Sequence, residues 1–190
     1  MSGTMQAQKA SGGTKEHCAH TVARISAAYS FLASTSGAPA IHHGKKASEK
    51  MLSLLDKALV DRLPAKPNIR SPDEAHAILK HAPLKSVVGE HADVGDVPHL
   101  KSHRDKLRRA HNIATSALKA PELDEMRHLL NLELYALGMN DIQKMTPEKA
   151  RKHIGNLLAQ AEFQIAGLEL QAAIDSTIAH AGPGQLAARL

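Results

Sequence analysis

The stretch that decides the fold is TPEKARKHIGNLLAQAEFQIAGLELQAAIDSTIAHA, residues 146–181. Thr146 is a good N-cap, Pro147 suits the first helical position, and Glu148 sits at the positive end of the helix dipole. After it, Gly182-Pro183-Gly184 stops the helix, because glycine accepts a left-handed cap and proline cannot continue the ladder. Between these signals Ile154, Leu158, Ala161, Ile165, Leu168 and Ala172 recur at 4-3-4-3-4 spacing, a seam on one helical face. Phe163, Leu170, Ile174 and Ile178 add apolar surface on the other faces. A helix this long and this widely apolar needs cover. The seam of Ile154, Leu158, Ile165 and Leu168 predicts either the centre of the chain's own bundle or a docking face for a partner. The first is the expectation, and the two are compatible if the seam is shared.

Working outward, five more segments show helical patterning. Residues 15–33 carry Cys18, Val22, Ile25, Tyr29 and Leu32 at 4-3-4-3 spacing. A linker over 34–46 leads to a helix over 49–63, capped by Ser48 and stopped by Pro64 and Pro67. Ser71-Pro72-Asp73-Glu74 is a capping box that opens a short helix to residue 81. Residues 83–97, with Gly89 and Gly95, predict a loop. Helices over 98–119 and 121–137 follow, the second with Met126, Leu130 and Leu134 inward and Gly138 as its C-cap. No alternating strand pattern appears. The expectation is an all-α fold, a five- or six-helix bundle over 14–181 with a long central C-terminal helix. Residues 1–13 are expected to be disordered and 182–190 a flexible tail.

Composition agrees. Hydrophobic residues make up 43% of the 190, enough for a core, yet only Tyr29, Phe31, Tyr135 and Phe163 are aromatic. The core must then be Leu, Ile, Ala, Val and Met, which favours helices. Residues 1–119 hold 18 Lys/Arg against 10 Asp/Glu, and the rest hold 6 against 9, so a basic front of +8 precedes an acidic back of −3. Such a front suits an acidic partner. Cys18 is the sole cysteine, which excludes an intrachain disulfide and fits a reducing compartment. No apolar run approaches the length of a membrane span, and residues 1–13 lack the apolar core of a secretory signal.

Catalytic chemistry finds no footing. There is no G-x-S-x-G, Walker loop or dinucleotide fingerprint, so no enzymatic activity is expected. The 13 histidines include His17 and His20 around Cys18, and His99 with His103 one turn apart. Without an HExxH or a second cysteine they do not complete a zinc set, and no metal or cofactor is expected. Cys18 lies on an apolar seam and suits a small buried side chain better than a nucleophile. The best polar feature is Lys101, Arg104, Lys106, Arg108 and Arg109 within nine residues. Lys101, Arg104 and Arg108 share a face away from Leu107, with Arg109 beside them, a stripe able to grip phosphates. No aromatic residue interleaves to stack bases and no helix-turn-helix is evident, so a solvated face or a surface for an acidic helix is the stronger expectation.

The start Met1-Ser2-Gly3-Thr4-Met5-Gln6-Ala7-Gln8, with Ala10-Ser11-Gly12-Gly13, resembles that of small proteins exported by bacterial type III secretion. The aromatic-poor, cysteine-poor helical body is similar in style. The resemblance implies a bacterial regulator or secreted effector that binds a sigma factor or secretion component. It implies a cytoplasmic location with export by a signal-peptide-independent route. The expected function is therefore non-enzymatic binding of a partner protein through helix packing. The alternative is nucleic-acid binding by the basic helix over 101–109.

Overall fold

Residue 147 begins the longest regular element, and the same cap that sequence signals predict is in place. A computed structural model describes residues 3–64, 67–119, 124–139 and 146–180, with side chains from Lys15 onward. Nine helical elements occur among them. They are α1 (Gly3–Thr35), α2 (Pro39–Leu54), α3 (Lys57–Asp61), α4 (Pro72–Lys80), α5 (Leu84–Val88), a 3-10 turn η1 (Val94–Asp96), α6 (Val97–Lys119), α7 (Asp124–Ala136) and α8 (Pro147–His180). No strand occurs among the described residues, and the fold is all-α with a long C-terminal helix.

The described chain forms two compact units. The first holds residues up to Val94 and those from Ala166, and the second holds Gly95–Ile165. In the first, α1 packs against α2, α3, α4 and α5. Val22, Ile25, Tyr29 and Leu32 of α1 are buried with Met51, Leu79, Leu84, Leu168 and Leu170. In the second, α6 packs on α7, and Leu107, Ala110, Ala114, Leu130, Leu134 and Ile154 form the core. α8 gives its first half to the second unit and its last half to the first. The Gly182-Pro183-Gly184 stop lies outside the described residues.

Helix ends follow local chemistry. Thr146 Oγ1 accepts from the Lys149 N–H at 3.4 Å and starts α8. Ser71 Oγ accepts from the Glu74 N–H at 3.2 Å and starts α4, while the Glu74 carboxylate accepts from the Arg70 N–H at 2.8 Å. The reciprocal bond of the capping box thus reaches one residue further out. Gly138 ends α7 at φ +72°, with the Met139 N–H donating to the Leu134 carbonyl at 2.9 Å. That is the Schellman arrangement expected of a glycine after a helix.

The structure differs from the sequence reading in three stretches. α1 begins at Gly3, so its first turns fall in the segment expected to be disordered. Met5, Gln6, Ala7, Gln8, Lys9 and Ala10 there are good helix formers, a local preference that bulk composition hides. α2 begins at Pro39 rather than after Ser48. Pro39 fits the first helical position, and Ser48 is buried inside the helix, donating its hydroxyl to the Lys45 carbonyl at 2.9 Å. The helix then stops at Leu54, and Asp56 caps the separate α3 by accepting from the Ala58 N–H at 2.9 Å. Finally, the expected loop over 83–97 contains α5, which buries Leu84 and ends at Gly89 with φ +110°.

Candidate interaction surfaces

The basic stretch of α6 is built by its own periodicity. Leu107, Ala110 and Ala114 turn inward, which leaves Arg104 and Arg108 on an outer face of the second unit. There they meet carboxylates. Arg104 donates to Asp105 Oδ1 from Nη2 at 2.9 Å and from Nε at 3.1 Å. Arg108 Nη2 donates to Glu162 Oε1 of α8 at 2.5 Å, and its Nη1 lies 3.8 Å from Asp105. Arg104 Nε stands 4.0 Å from the same Glu162 oxygen. Two arginines and two carboxylates therefore form one network that ties α6 to α8. The phosphate-gripping stripe is largely neutralised by its neighbours. Lys101 is half-buried and also engaged, while Lys106 and Arg109 are exposed.

The organising seam lies inward. Ile154, Ile165 and Leu168 are buried, and Leu158 is half-buried against the core of the second unit. Close packing around Leu168 uses Gly167, where a Cβ would stand 2.6 Å from Val88 Cγ2.

Apolar surface is exposed on α7 instead. Leu130 and Leu134 face the core, but Leu129, Leu132 and Tyr135 are 39%, 52% and 69% exposed. Their spacing places the three on one side of the helix, and Glu125 continues that side one turn toward its start. Sequence reasoning missed this stripe because it assigned the surplus apolar surface to the final helix. The signal was present: α7 carries two apolar faces, and one neighbour can cover only one of them.

A groove of about 760 Å³ runs between α2 and the last half of α8 in the first unit. Ala47, Ala166 and Ala173 floor it, and His43, Lys46 and Lys50 of α2 edge one side, with Glu169 on the α8 side. Elsewhere, Cys18 is half-buried, and burial pushes its thiol up against the opposing pull of a backbone hydrogen bond, which works against a reactive thiolate. His17, His20, His99 and His103 are all exposed, and among the described residues no three His, Cys, Asp or Glu side chains converge as a metal site would require. No helix among them is long and apolar enough to cross a membrane. No family model, curated protein or solved structure matches the chain.

Proposed function

We propose that this chain is a non-enzymatic helical interaction protein that binds a partner protein through the exposed face of α7. The observation that carries the reading is the stripe of Leu129, Leu132 and Tyr135, three large apolar side chains left in water on one side of a helix. An amphipathic helix of a partner is the natural cover, since anchors at this spacing fit a helical groove. The resemblance of residues 1–13 to secreted bacterial proteins supports a regulator or effector acting on a sigma factor or secretion component. In that setting it is met in the cytoplasm and leaves by a signal-independent route. Nucleic-acid binding by α6 is the second reading. It draws support from the basic front of the chain, and the pairing of Arg104 and Arg108 with Asp105 and Glu162 counts against it.

The test is a pull-down from bacterial lysate, with and without nuclease, with the wild-type chain and the Leu132→Asp variant as baits. A partner held by the wild type and lost by the variant is the expected result. A partner that leaves on nuclease treatment, and is indifferent to Leu132, would transfer the function to the basic helix.

A further inference from the structure

The α2–α8 groove has a basic edge on α2, with Glu169 on its other side, and the α7 stripe is preceded by carboxylates. Alanines on the floor leave the helix backbones nearly bare, a surface into which large side chains of a crossing helix can insert. His43, Lys46 and Lys50 follow 3-4 spacing, so they line one edge of α2. The stripe offers the converse. Leu129, Leu132 and Tyr135 project from one helix, and the acidic first turn with Asp124 and Glu125 leads into them.

We propose that the occupant of the groove is α7 of a second copy of this chain. In this contact Leu129, Leu132 and Tyr135 of one copy seat on the alanine floor of the next, and Glu125 lies beside Lys46 on the α2 edge. The proposal rests on α7 being a protein-binding face and names its partner. Donor and acceptor are different surfaces, so the contact is head-to-tail and can repeat. Its carboxylate–ammonium edge makes it sensitive to salt. A self-associated chain hides its stripe, so self-association and capture of another protein at α7 exclude each other.

Sedimentation velocity on the purified full chain tests this. The sedimentation coefficient is expected to rise with protein concentration at low ionic strength and to rise less at high salt. Leu132→Asp, and separately Lys46→Glu with Lys50→Glu, should each weaken association by roughly thirtyfold or more, as loss of an interface anchor does. An equimolar mixture of the two variants should associate one-to-one, because each keeps the half that the other lacks. Tyr135→Ser serves as a second stripe variant should Leu132→Asp lower the thermal midpoint. A wild type that sediments as a monomer at every concentration overturns the proposal. So does association undiminished in both stripe variants, or a mixture that stays monomeric; a lysine variant that associates as strongly as the wild type would mean that α7 pairs with itself. A monomeric wild type that still loses a bound partner on Leu132→Asp would sink the self-contact and leave the partner-binding reading intact.

Discussion

Tyr29 is fully buried on α1, and its hydroxyl pairs with Thr177 Oγ1 of α8 at 3.4 Å. The Thr177 hydroxyl donates its own hydrogen to the Ala173 carbonyl at 2.7 Å, so Tyr29 is the donor in the pair. Burial pushes the phenol up to about 12, and the Asp175 charge adds to the rise. A free tyrosine titrates near about 10. The folded value is the higher one, so the native state keeps a proton that the unfolded chain releases. The associated stability, on the order of 2–3 kcal/mol, is present below about pH 10 and is lost as the pH climbs toward 12. Denaturant melts across that window should show the fall. Tyr29→Phe should flatten it at a neutral-pH cost of about 0.5–1.5 kcal/mol; a decline as steep in the variant would assign the loss to other groups. The same ring explains Gly44, where a Cβ would fall inside Tyr29. At Gly167 the crowding comes from Val88 on the five-residue α5 and from the flexible end of Met51. Gly44→Ala should therefore cost about 1–3 kcal/mol or more by overpacking. Gly167→Ala should cost less, because a short helix can shift and alanine recovers about 1 kcal/mol of helix preference. Equal drops in thermal midpoint would show that the Tyr29 ring is free to move.

Among the elements, α6 shows how a neighbour changes the meaning of a charge. On sequence alone Arg104 and Arg108 are exposed cations, whose removal has little effect on stability. In the structure they separate Asp105 from Glu162. Arg108→Gln should cost under about 1 kcal/mol, the range of partly exposed ion pairs. Arg104→Glu with Arg108→Glu should cost distinctly more, because it brings four carboxylates together where α6 meets α8, and added salt should recover part of the loss. A double variant as stable as the wild type in low salt would show that the network is ornamental to folding. Glu162 is the member that sequence could not supply, since it lies 54 positions from Arg108 and only packing brings it near. Helix ends were far more legible, because caps are local: Ser71, Gly138 and Thr146 each act within five residues of the chain. α2 was not, because His42-His43-Gly44 has loop composition. What calls for glycine at 44, inside the helix, is the ring of Tyr29, a residue on another helix.

At the scale of the whole molecule, the seam of α8 was legible and its division was not. Periodicity shows that a face is apolar, but it does not show that Ile154 and Leu168 on the same face serve different cores. Ile154 is buried in the unit of α6 and α7, and Leu168 in the unit of α1, α2 and α5. The α7 stripe escaped for a related reason: the sequence contains two apolar faces there, and only the packing shows that one is uncovered. Ile154→Ala and Leu168→Ala each remove a fully packed side chain and should cost about 2–5 kcal/mol. Their footprints should differ. Amide hydrogen exchange after Ile154→Ala should accelerate mainly in α6, α7 and the first half of α8. After Leu168→Ala it should accelerate mainly in α1, α2, α4 and the second half of α8. The reason is that local opening follows the cooperative unit in which packing has been lost. The contrast will be sharpest at mild denaturant, where partial openings outrun global unfolding. If both variants instead raise exchange uniformly from α1 to α8, the continuous helix couples the two cores into one cooperative transition, and the division into units is geometric rather than energetic.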